Sequence, residues 1–146
     1  MDRTTLLAQW DNFWTTGLFA APASKAFDDL TATQAAWTPA AGHHGVWHNA
    51  NHIMFWRRYA ITRARKGVLP HNDEVNRRNW LVPTPADDLA WASAKQEWQE
   101  SHQFVREAIA DESLPADTAI NLLAHDSYHL GQIMYVRALQ GMKPIE

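Results

Sequence analysis

The segment AINLLAHDSYHLGQIMYVRAL, residues 119–139, constrains this chain more than any other. Wound as a helix it is apolar round most of its circumference, so it must be the most buried helix of whatever it joins. It nevertheless carries His125, Asp126 and His129. Such a helix needs other helices to cover it, and the hydrophobic periodicity supplies three.

The first, about residues 3–19, aligns Leu6, Trp10, Phe13, Trp14 and Gly17 in one stripe. The second, about 44–66, runs from the glycine-flanked HHG to Gly67 as an expected C-cap, with Val46, Ala50, Ile53 and Tyr59 among its apolar positions. The third has Thr84 as N-cap, Pro85 at the first helical position and Asp87 at the third. Its seam continues through Trp91, Ala94, Trp98, Ser101, Val105 and Ala108. The segment described above belongs to the fourth, about 114–140, which stops at Gly141 with Pro144 beyond.

Residues 22–43 read as a connector with a short turn around Thr33–Trp37, whose Trp37 packs on the bundle, and residues 67–84 read as a loop. Both exceed the usual helix–helix connection of about 2–8 residues, so some consecutive helices need not be neighbours. No stretch alternates apolar and polar residues as a strand would. The fold expected is all-α, a four-helix bundle with long connectors, in a single domain spanning 1–146.

Composition narrows the function. With 13 Lys plus Arg against 16 Asp plus Glu the chain has a net charge of -3, which disfavours a nucleic-acid partner. The one basic run, RRYAITRARK from Arg57 to Lys66, is read as cations gathered in the last turns of a helix. No run reaches the roughly 20 apolar residues that span a bilayer, and the N-terminus MDRTTLLAQWDNF is too polar for a signal peptide; no membrane partner and a cytoplasmic location are expected. The absence of cysteine rules out disulfides, cysteine-ligated zinc, iron–sulfur clusters and a protein thiol nucleophile.

Of the eight histidines, His44/His48, His48/His52 and His125/His129 are pairs four apart. On a helix that spacing puts both imidazoles on one face, within reach of a single ion. Burying two imidazoles in so apolar a helix is costly without partners, and a metal satisfies both lone pairs. The alternatives are hydrogen-bonded core histidines and, for HHGVWHNANH, a solvated stripe. A third ligand would come from His102 or from His44, His48 and His52. Three histidines from two helices, with a position left for solvent, is the composition of a catalytic site.

VWHNANHIMFWRRY together with HDSYHLGQIMYVRAL resembles the DinB-like (DinB/YfiT) superfamily of small metal-binding four-helix bundles, over nearly the whole chain and including the LTATQAAWTP connector. The resemblance rests on His52 before Ile53, Phe55 and Trp56, and on His125 and His129 before Gly131 and Gln132. It implies His52, His125 and His129 as metal ligands, with His48 as a neighbouring donor or a solvated residue. It also implies a homodimer.

A divalent ion on three neutral imidazoles keeps its full charge and can activate water or a thiol. Zinc is the first expectation and nickel the second. The resemblance implies a thiol S-transferase acting on a small-molecule electrophile with bacillithiol or a similar small thiol, or a mycothiol-dependent isomerase. A metal-dependent hydrolase is the alternative, although HDSYH places Asp126 where zinc peptidases have glutamate. A non-catalytic metal-binding stress-response protein is the third reading. Asp126 is a candidate base or histidine-orienting group, or a solvated charge. Gln132 and Tyr128 are candidate donors near the metal, or interhelical contacts. Trp56 and Trp80 are candidate pocket walls, and Arg77 and Arg78 could meet an anionic substrate.

Overall fold

In a computed structural model, which describes residues 2–145, every regular element is helical. Asp2 accepts from the Thr5 N–H and starts α1 (Arg3–Thr15). A short 3-10 turn at Ala23–Lys25 follows, then α2 (Ala32–Ala36), which Thr31 and Gln34 close as a capping box. The remaining helices are α3 (Val46–Ala64), α4 (Asn72–Arg78), α5 (Asp88–Ala110) and α6 (Ala116–Leu139).

Several boundaries differ from the sequence reading. α1 ends at Thr15, so Gly17 lies outside its stripe. α3 starts after Gly45, whose Cα approaches the Trp37 carbonyl so closely that a Cβ there would sit 2.0 Å from the oxygen. His44 therefore stands before the helix. At its other end Lys66, not Gly67, takes the left-handed conformation, at φ 55°. α5 is capped by Asp87, whose side chain accepts from the Ala90 N–H, so Thr84 and Pro85 precede the helix. The expected stop at Gly141 holds, with φ 73°. Trp37 is 39% exposed and so packs only partly. The supposed loop 67–84 contains α4.

α3 packs most extensively on α6 and α5, and α1 on α5 and α6, so the four longer helices close a ring of contacts. The connector from α1 to α3 does join helices that barely touch, whereas the one from α3 to α5 joins close neighbours. The core is divided. Phe13, Trp47, Ile53, Trp91, Trp98, Leu130 and Ile133 belong to one apolar cluster. Leu6, Trp10, Ile61, Val105, Ile109 and Leu122 belong to another. On α3, α5 and α6 the residues between the two clusters include Arg57, Ser101, His102 and Asp126, all buried. Fully burying a Leu, Ile or Phe side chain contributes roughly 1.5–3 kcal/mol, so the clusters hold this polar layer in place.

Candidate metal centre

His52 comes from the middle of α3, and His125 and His129 from successive turns of α6. One ring nitrogen of each lies within 4.8 Å of the others, close enough to share one metal ion. The structure thus brings together the three histidines expected as ligands. His129 and His52 are buried, at 6% and 9% exposure, and His125 is half-buried.

Each Nδ1 faces an oxygen. His52 Nδ1 is 3.0 Å from Asn79 Oδ1, and His125 Nδ1 is 3.1 Å from Asp126 Oδ1. His129 Nδ1 is shared between Asn49 Oδ1 at 3.0 Å and Gln132 Oε1 at 2.6 Å. The amide oxygens are oriented by their own NH2 groups: Asn79 donates to the Val75 carbonyl, Asn49 to the Gly45 carbonyl and Gln132 to the Tyr128 hydroxyl. A carboxylate can only accept. All three Nδ1 atoms therefore carry the proton, and all three Nε2 atoms carry a lone pair. His125 Nε2 is buried and has no hydrogen-bond partner among the described residues. Three Nε2 acceptors on rings this close to one another form a set that a cation satisfies.

Burial, chiefly, lowers the pKa of His52 to about 4, and burial followed by the proximity of His125 lowers that of His129. His52 thus keeps its lone pair well below neutral pH, and His129 keeps its own to below the ordinary histidine pKa.

The neighbours sort differently. Trp80 stacks on His52 at 3.7 Å and on His44 at 3.9 Å, so consecutive residues Asn79 and Trp80, just after α4, hold and cover one ligand. His48 is not in the trio: its Nδ1 accepts the Gly45 N–H and closes the start of α3. Tyr128 is 65% exposed and meets His129 edge-on. Trp56 meets His52 edge-on at 6.1 Å. Asp126 is fully buried with both oxygens engaged, one on His125 and one on Arg57 Nε at 2.7 Å, which excludes both a solvated charge and a base open to substrate. Arg57, read as the first of the cations gathered in the last turns of the helix, is 0% exposed. His102 lies between Trp10 and Trp14, away from the trio's ring contacts.

Two cavities flank the trio. One, about 510 Å³, reaches His125 and is walled by Trp56, Tyr59 and Leu122, with Arg63 its only fixed charge. The other, about 450 Å³, reaches His129 past Trp80, Tyr128 and Gln132. Arg78 lines neither; it pairs with Glu74 at 2.6 Å, and Arg77 is exposed without lining either. Sequence reasoning missed Asn49 and Asn79, since isolated asparagines carry no periodic signal.

Comparisons with protein-family models, with curated proteins and with solved structures find no match.

Proposed function

We propose that the chain is a DinB-like four-helix bundle holding a divalent transition metal, zinc before nickel, on His52, His125 and His129, and that it acts as a thiol S-transferase. The carrying observation is the set of three Nε2 lone pairs fixed by oxygen acceptors at every Nδ1. The closed ring of α1, α5, α3 and α6 supports the bundle.

A divalent ion on neutral imidazoles supplies Lewis acidity that lowers the pKa of a bound water or thiol. The chain's own residues do the rest. Asn79, Asn49, Gln132 and Asp126 orient the ligands. Trp56, Tyr59 and Leu122 take up an apolar electrophile, and Arg63 meets any anionic group on it. A cavity on either side of the trio favours two small molecules, an electrophile and a small thiol such as bacillithiol, over one substrate and water. With no cysteine in the chain, the thiol has to come from the second molecule. The hydrolase reading uses the same trio with one substrate. In the non-catalytic reading the cavities are incidental.

The proposed setting is cytoplasmic; among the described residues no helix is long and apolar enough to cross a membrane. A homodimer is proposed through the exposed uncharged face of α6, which carries Ile120, Tyr128, Gly131 and Tyr135.

The test uses untagged protein stripped with chelator, reloaded with zinc or nickel, and assayed against aromatic electrophiles with and without bacillithiol. Metal-dependent turnover that needs the thiol is the expected result. Turnover without thiol would transfer the site to the hydrolase reading, and metal binding with no turnover of either kind would leave the non-catalytic one.

A further inference from the structure

Among the described residues Arg57 forms no hydrogen bond to the three histidines, yet it is joined to one of them through a single carboxylate. Its guanidinium lies over the rings of Trp98, at 4.7 Å, and Trp10, at 5.4 Å. Those indoles are pinned in turn, Trp98 donating to the Ala23 carbonyl and Trp10 to the His102 carbonyl. Arg57 Nη1 donates to Ser101 Oγ at 2.9 Å, and Nε donates to Asp126 Oδ2 at 2.7 Å. The other oxygen of Asp126 accepts from His125 Nδ1. A rigid donor therefore occupies one end of a buried acceptor, and an imidazole occupies the other.

We infer that Arg57 is a positioning residue, which through Asp126 sets the tautomer of His125 and so keeps its Nε2 free as a ligand. As the carboxylate partner of Arg57, Asp126 only accepts, so Nδ1 must donate. An arginine cannot give up its proton, so whatever stands at position 126 must present an acceptor to Nε first. With two acceptor ends, a carboxylate serves both neighbours. A carboxamide has only one. In Asp126→Asn the oxygen is claimed by Arg57, the NH2 turns to His125, and Nδ1 becomes an acceptor. The proton then moves to Nε2, into the middle of the trio. Loss of the required tautomer is a known consequence of replacing an aspartate behind a functional histidine by asparagine.

Arg57→Gln places an amide where Nε was, which unlike arginine can present an acceptor to position 126. In the double variant Asp126→Asn/Arg57→Gln the NH2 faces that acceptor, the amide oxygen returns to His125, and Nδ1 donates again.

The affinity arm of the test rests on the metal-site reading, and the tautomer arm does not. Long-range 1H–15N correlation spectra of 15N-histidine-labelled, metal-free protein report which nitrogen of each ring is protonated. His125 is expected as Nδ1–H in the wild type, Nε2–H in Asp126→Asn and Nδ1–H in the double variant. Zinc affinity, measured by competition with a chelating dye, is expected to fall about 10–100-fold in Asp126→Asn and to recover most of that in the double variant. A wild-type His125 found as Nε2–H overturns the inference, and this measurement needs no variant to fold. So does an Asp126→Asn variant in which His125 stays Nδ1–H, which would mean that the carboxylate does not set its tautomer. If the wild type binds no zinc, the metal reading fails and the tautomers alone decide.

Discussion

Arg57, Asp126 and Ser101 meet as donor to acceptor, whereas His52, His125 and His129, largely on the same helices, turn lone pairs toward one another. The first group sits between the two apolar clusters, fully buried, with its charges cancelled. The second lies beside two cavities, and its buried Nε2 on His125 has no partner among the described residues. Burial alone does not distinguish a structural polar cluster from a functional one. Complementarity does: in one group donors meet acceptors and only Arg57 Nη2 is left over, and in the other every ring offers a lone pair that a cation would complete.

That distinction can be broken most forcefully at Arg57. Removing one member of a buried pair strands the other, so Arg57→Met should cost about 3–5 kcal/mol in urea unfolding. His125→Leu in metal-free protein should cost less, about 1–3 kcal/mol, because the unpaired Nε2 goes with it while Asp126 Oδ1 loses its donor. Equal costs would erase the difference between the two groups.

The next effect is on the metal. His52→Ala and His129→Ala should each weaken zinc binding by more than the roughly 10–100-fold typical of residues behind the ligands. His43→Ala and His71→Ala, at exposed positions, should leave the affinity unchanged in the same dye competition.

A smaller effect sharpens the role of the amides. Asn79→Ala removes the only oxygen on His52 Nδ1 and should weaken zinc about 10–100-fold. Asn49→Ala should cost less, because Gln132 still holds His129.

The last concerns His102, a buried histidine whose Nδ1 has no hydrogen-bond partner among the described residues. Burial first, then the charges of Arg57 and Arg106, lower its pKa from 6.5 to about 3. Between those values the unfolded chain binds the proton and the folded one does not. Stability therefore falls as pH falls through that window, by up to about 1.4 kcal/mol per pH unit. His102→Phe should flatten this acid slope in urea titrations from pH 6 to 4, with zinc affinity at pH 7 unaltered.

Much of this was readable in the chain. The stripes placed α1, α3, α5 and α6 to within a few residues, because each buries one apolar face. α4 escaped because none of its residues is buried. Its signal was electrostatic: Asp73 and Glu74 in the first turn, Arg77 and Arg78 in the last, and a Glu74–Arg78 pair. Arg57 could have been found, since it falls in register with Ala50, Ile53 and Ile61 on the buried face of α3. Asp126 likewise follows Ala119 and Leu122. Charges on a core stripe must meet each other inside. Asn79 could not have been foreseen, because it reaches His52 from 27 residues away by tertiary packing alone.

The most direct test of the central claim is elemental analysis of untagged, chelator-washed protein after reloading with zinc or nickel, beside His125→Ala treated identically. About one metal ion per chain in the wild type, lost in the variant, is the result the three converging lone pairs require. A wild type that retains none, or a variant that retains as much, would contradict it.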